Sequence, residues 1–183
     1  MSDQLTINGR TLRLVKGDIT DLEIESFVFY AQHDLALGSG YGTAISVRGG
    51  PTVQEELKTF GRINTGDAVV TSAGEMKAKF IVHAVGPRFQ EEDMDAKLRT
   101  TVENALKQAD AKGITAIALP AMGVGFYGVP LPLCAQVMLD TIREYLSGAT
   151  SIQDVVVCLL DNREFKPFQS QLKALGKPEG VAA

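Results

Sequence analysis

Two glycine-rich runs constrain this chain more than any other feature. The first is Gly38-Ser39-Gly40-Tyr41-Gly42-Thr43-Ala44-Ile45, and the second is Gly123-Val124-Gly125-Phe126-Tyr127-Gly128-Val129-Pro130. Each follows an apolar run with strand character and precedes a segment with helical character. A helix N-terminus has unpaired backbone N–H groups and a partial positive charge. Glycine removes the side chain that would hold an anion away from that backbone. Two such runs in one small domain predict a ligand with two linked phosphates.

The segments around these runs alternate. Leu5-Thr6-Ile7 and Thr11 to Val15 flank Asn8-Gly9, a two-residue hairpin signal. Lys16-Gly17-Asp18-Ile19-Thr20 is a turn leaving a strand. Ser26 to Ala31 is apolar nearly throughout, as in a strand covered on both faces. Thr43 to Lys58 reads as a helix broken at Gly49-Gly50-Pro51. Asp67 to Thr71 and Phe80 to Val85 are strands. Asp95 to Lys112 is a helix with Leu98, Val102, Ala105, Leu106 and Ala109 on one face, stopped by Gly113. Ala116 to Leu119 is a buried strand leading into the second glycine run. A helix opens at Pro130 or Pro132 and closes at Ser147-Gly148. Val155 to Leu160 is a strand ending at Asp161-Asn162, and a last helix runs from about Glu164 to Leu175.

This order predicts an α/β fold: a three-layer α/β/α sandwich with a mixed, mostly parallel central sheet. With 183 residues, one domain with a full core is expected over residues 1–176, with 177–183 as a frayed polar tail. Ligands of such folds bind at the carboxyl ends of strands. Both glycine runs, Asp18 and Asp161 fall at that edge.

Several classes are set aside. Net charge is −4 and no Lys/Arg run occurs, which argues against bulk nucleic acid. No apolar stretch is long enough to cross a bilayer, and Met1-Ser2-Asp3-Gln4 lacks the basic-then-apolar pattern of a secretory signal. Cys134 and Cys158 form no metal or redox motif and read as reduced core thiols, so a cytoplasmic location is expected. No His/Cys/carboxylate cluster has zinc spacing, and neither a metal nor a cofactor is expected. There is no P-loop and no Gly-x-Ser-x-Gly elbow. Gly123 to Gly128 does match Gly-x-Gly-x-x-Gly, but the unit comes late and the next acid at a strand end, Asp161, is too distant for a dinucleotide fold. Oligomeric state is not readable.

The polar candidates each carry a structural alternative. His33-Asp34 follows a strand just before a glycine run, where an imidazole can orient water or hold a ribose hydroxyl, or can simply cap local backbone. His83 lies mid-strand and reads as a core histidine. Asp18 can accept a hydrogen bond from an exocyclic amine, or cap the following turn. Phe126 and Tyr127 can cover a ribose or base, or pin their loop.

With these residues in place, the chain resembles a macrodomain, the ADP-ribose-binding module. The resemblance is carried by Gly17-Asp18-Ile19-Thr20, the glycine run before Thr43-Ala44-Ile45, and Thr65 to Thr71. It continues through Ile81 to Pro87, Leu119-Pro120-Ala121, and Gly123 to Gly128. It implies ADP-ribose or an ADP-ribosylated protein as partner. Asp18 would take the adenine amine and Ile19 would add a backbone contact. Gly38, Ser39, Gly40, Tyr41 and Gly42 would hold one side of the diphosphate. Gly123, Val124, Gly125, Phe126 and Tyr127 would wrap the other side and the distal ribose. The family's Asn-Ala-Ala-Asn is Phe29-Tyr30-Ala31-Gln32 here, and the acid common in its hydrolase branch falls on Gly42.

Three functions follow. One is a protein ADP-ribosyl hydrolase acting on modified carboxylates by a variant mechanism, with water held by the diphosphate or by Gln32, His33 or Asp34. The second is a non-catalytic binder of ADP-ribose or O-acetyl-ADP-ribose. The third is an interaction domain with a vestigial pocket.

Overall fold

The structure is a computed structural model describing residues 3–38 and 40–176. Ser39 and the tail 177–183 lie outside the described residues. The chain opens with a hairpin, β1 (Gln4–Ile7) and β2 (Arg10–Lys16), joined by Asn8 and Gly9 at φ of 52° and 79°. Two successive positive φ values give the primed turn whose twist matches paired strands. A short 3-10 turn (Ile19–Asp21) leads to β3 (Ser26–Tyr30). Then come α1 (Tyr41–Gly49), α2 (Pro51–Lys58), β4 (Ala68–Ser72) and β5 (Phe80–Ala84). The second half is α3 (Met94–Ala111), β6 (Ala116–Leu119), α4 (Leu131–Ser147), β7 (Asp154–Leu159) and α5 (Asn162–Leu175).

The seven strands form one sheet in the order β1-β2-β7-β6-β3-β5-β4. Both edge pairings, β1 with β2 and β4 with β5, are antiparallel; the inner pairings are parallel. Helices cover both faces, which is why the inner strands lack polar alternation. Along β7, Val155, Val157 and Leu159 enter the core beneath α3, α4 and α5, while Val156 and Cys158 enter the core beneath α1 and α2.

Each helix is fixed by its apolar face. On α4, Met138, Leu139, Ile142 and Leu146 are fully buried. Each such side chain contributes about 1.5–3 kcal/mol by leaving water, so Ile142→Ala is a change of about 2–5 kcal/mol once the cavity is included. The α4 C-terminus is held by the Arg10 guanidinium, which donates to the carbonyls of Leu146 (2.8 Å), Gly148 (3.0 Å) and Thr150 (2.9 Å). The expected break after α1 occurs at Gly50, with Pro51 as the first residue of α2. Most boundaries fall about one residue from the sequence reading, and two helix starts move further. Helix α1 begins at Tyr41, inside the glycine run, and α5 begins at Asn162 because Asp161 caps it. Cys134 and Cys158 are free thiols in the core, and His83 is fully buried.

Candidate functional site

Strands β3 and β6 are neighbours, yet their following segments leave in opposite directions. The chain after β3 turns to α1 on one face; the chain after β6 turns to α4 on the other. Divergence of adjacent connections opens a crevice at the carboxyl end of a parallel sheet. Both glycine runs start here. A cleft of about 480 Å³ results. Phe27 to Tyr30 and Pro120-Ala121 line its floor. Gln32, Leu37, Gly38, Gly40 and Tyr41 form one wall, and Gly123 to Tyr127 form the other. Its far end is closed by Ile19, Cys158, Leu160, Arg163 and Glu164.

The first wall is the entry to α1. Gly40 is the N-cap, at φ 63° and ψ −128°, a conformation that residues with a Cβ avoid. No side chain caps this helix, and Tyr41 and Gly42 begin it. Their amides belong to the first turn, which has no acceptor within the helix. Gly42 is buried against the preceding chain: a methyl carbon built on it would sit 1.5 Å from the Leu37 carbonyl oxygen. The Leu37 carbonyl thus occupies the space that any side chain at this position would need. Gln32 lies close by, and a Cβ on Gly38 would come 2.7 Å from its Nε2.

The second wall is a tight turn in which Gly128 N–H donates to the Gly125 carbonyl (3.0 Å) and Val129 N–H to that of Gly123 (2.9 Å). Among the described residues, the amides of Gly125, Phe126 and Tyr127 have no backbone acceptor. Gly123 has φ 79°, and a Cβ there would meet Val129 Cγ2 at 2.4 Å. Tyr127 packs on Tyr30 (5.0 Å between centroids) beneath the Arg88 guanidinium (5.8 Å), and the Phe89 N–H donates to its carbonyl at 2.7 Å. The Tyr30 hydroxyl in turn donates to the Pro87 carbonyl. Phe126, beside this braced tyrosine, is 94% exposed.

Asp18 stands at the far end. Its Oδ1 accepts from the Thr20 N–H (2.9 Å) and hydroxyl (2.6 Å), so it does cap the 3-10 turn. Its Oδ2 faces Arg48 at 3.5 Å and keeps accepting capacity. Partial burial raises the Asp18 pKa, but the Thr20 hydrogen bonds and the Arg48 charge outweigh it, leaving the carboxyl below its ordinary range. Burial, with the Asp18 charge next, pushes the Tyr41 phenol up to about 12. Burial also raises the Cys158 thiol to about 11, so that wall presents a neutral S–H.

The sequence candidates divide. Gln32, Ile19, Gly38, Gly40, Tyr41 and Gly123 to Tyr127 are brought to the cleft. Asp18 and Gly42 stand next to it, and Ser39 lies outside the described residues. Asp161 accepts from the Glu164 N–H (3.1 Å) as the N-cap of α5. His33 and Asp34 do not line the cleft. The His33 Nδ1 engages the Ile63 carbonyl (3.0 Å), and Asp34 Oδ1 accepts from the Ala36 N–H (3.0 Å). Both belong to a turn in which the Leu35 N–H donates to the Gln32 carbonyl (2.9 Å) and Leu35 adopts φ 62°.

Arg163 and Glu164 escaped the sequence reading. Glu164 Oε1 accepts from the Leu160 N–H at 2.9 Å, so its carboxylate is spent on the helix start. Arg163 sits in the first turn of α5, where a cation opposes the helix dipole. That misplacement was the available signal.

The sequence and fold can be compared with known proteins. The Macro domain family matches residues 30–138. An uncharacterized protein of Saccharolobus solfataricus is 36% identical over 173 residues, covering 92% of this chain and 96% of its own length. Among solved structures, the Oceanobacillus iheyensis macrodomain with ADP superposes with a TM-score of 0.88 at 29% identity, over 94% of this chain and 95% of that one. The Trypanosoma brucei macrodomain in complex with ADP-ribose gives 0.81 at 25% identity, over 87% and 68%.

Proposed function

This chain belongs to the macrodomain family, and on that premise we propose that its cleft binds ADP-ribose, free or attached to protein. The observation that carries this is the meeting of two glycine walls over one cleft of about 480 Å³ at the β3/β6 divergence. The residues of the α1 entry and Gly125 to Tyr127, whose amides have no backbone acceptor among the described residues, line one cleft, and a diphosphate would supply acceptors to both. The adenine amine would reach Asp18 Oδ2, and the distal ribose would lie toward Gln32 and Tyr127.

A second reading adds hydrolysis of ADP-ribosyl esters on carboxylate side chains, and Gln32 favours it. Its amide stands on the cleft wall against Gly38, within range of orienting a water at the distal ribose. In that step the water oxygen bonds to the anomeric carbon. The bond from that carbon to the ester oxygen breaks, and the carboxylate leaves while a proton passes to solvent. Only Glu164 among the cleft-lining residues carries a carboxylate, and it is engaged at α5. Rate acceleration would therefore come from positioning and water exclusion rather than from a base.

Calorimetric titration with ADP-ribose, ADP and AMP tests the first reading. Micromolar ADP-ribose binding is expected, falling about tenfold or more in Asp18→Ala, as for loss of a charge-assisted hydrogen bond. No binding to wild type removes both readings. For the second, a glutamate-linked ADP-ribosyl protein incubated with excess enzyme should lose its modification, and more slowly with Gln32→Ala. An unchanged level of modification leaves a binder.

A further inference from the structure

A second hollow, of about 410 Å³, lies on the other side of the segment that leads into the first glycine wall. Leu35, Leu37 and Leu57, all buried, form its apolar base. Lys58 and Arg62 stand exposed on its rim, and neither makes an ion pair with a described residue. Asp34 is also on the rim, with one oxygen taken by the Ala36 N–H. Leu37 lines both this hollow and the cleft, so the two adjoin at that residue. The partition is firm. His33 and Ile63 bond in both directions, and the Leu35 N–H donates to the Gln32 carbonyl at 2.9 Å.

We propose that this hollow is the subsite for the polypeptide that carries the ADP-ribose, and that it takes an apolar side chain flanked by acidic residues. The inference rests on the ADP-ribose reading of the cleft. There the distal ribose faces Gln32 and Gly38, so the modified side chain leaves the cleft beside Leu37. An extended polypeptide advances about 3.3–3.6 Å per residue, so a few residues span the width of one leucine. An apolar base selects an aliphatic or aromatic neighbour. Two cations without partners, on a protein of net charge −4, select carboxylates around it. Carboxylates are also the groups whose modification the hydrolase reading requires, so an acidic stretch is the context in which such a site occurs.

The test uses peptides bearing ADP-ribose through a hydrolysis-resistant linkage, titrated against the whole protein. One peptide has acidic and apolar flanks; another has the same length with Gly/Ser flanks. Free ADP-ribose is the reference. The acidic peptide is expected to bind about tenfold tighter than free ADP-ribose, a gain of the size that two exposed charges and one apolar contact supply, and the gain should shrink as salt is raised. The double variant Lys58→Glu/Arg62→Glu should lose it while its affinity for free ADP-ribose stays unchanged, and Lys58→Gln/Arg62→Gln should fall between. If free ADP-ribose binds but the acidic peptide gains nothing over the Gly/Ser one, the subsite is wrong and the cleft reading stands. A gain seen instead with a two-unit ADP-ribose oligomer, and lost in the same variants, also overturns the peptide assignment. If wild type fails to bind free ADP-ribose, the cleft reading itself fails and the subsite falls with it.

Discussion

The two glycine walls face the same cleft but are built on different principles. The tightest contact of the first is backbone against backbone, Gly42 at the start of α1 against the Leu37 carbonyl, with the Thr43 hydroxyl also donating to the Gly38 carbonyl (3.1 Å). The second, besides its own backbone hydrogen bonds, is packed against side chains, with Gly123 under Tyr30 and Val129 and Gly128 against Phe89. A backbone contact cannot repack, whereas a side chain can turn. The first wall should therefore fail abruptly when altered, and the second by degrees.

Gly42→Ala is the harshest way to test this. The added carbon has no room, and a loss of about 3 kcal/mol is expected from overpacking against immobile backbone, read from the denaturation midpoint. Stability within error of wild type would show that the first wall yields. Gly123→Ala follows, at about 2 kcal/mol from its left-handed φ and the Val129 contact, with weaker ADP-ribose binding in the same protein; a loss exceeding that of Gly42→Ala would reverse the ranking. Gly40→Ala meets open space, so only its φ is strained; about 1 kcal/mol is expected, and thermal melting separates it from Gly42→Ala. Phe126→Ala should leave stability within about 0.5 kcal/mol, because the ring is exposed, while ADP-ribose affinity falls severalfold. Full affinity there would mean that the ring never covers the ligand. The smallest effect concerns pH. Asp18 has its pKa depressed in the fold, so its carboxylate is charged above that value and its contribution is lost only as pH falls through it. Affinity should be flat between about pH 5 and 8 as far as Asp18 is concerned, and a drop across that window absent in Asp18→Asn would contradict the depressed value.

Much of the frame was legible because its signals are local. Asn8-Gly9 specified a turn, Gly49-Gly50-Pro51 a helix break, and Val155 to Leu160 a buried strand, observed as Asp154–Leu159. The pairing of β2 with β7 was not, because nothing in either strand names so distant a partner, such as Val156 for Arg13. The site divided along the same line. The glycine walls announced themselves by composition. That Gln32 lines the cleft while His33 and Asp34 do not was silent, as was the turn there at Leu35 (φ 62°), since leucine carries no sequence signature of that conformation. The Gly42 contact was equally silent, since a missing side chain does not reveal what occupies its place.

The β2–β7 pairing has a consequence for how the cleft comes into being. Its far end joins Ile19, which follows the first hairpin, to Cys158 and Leu160, which follow the last strand. The hairpin leaves the ribosome well before the strand that docks it. Until β7 inserts between β2 and β6, one half of the ligand pocket has no counterpart, and such long-range parallel pairing is a slow step. Ligand capture would then be a late event in the life of the nascent chain, reporting that the sheet has closed.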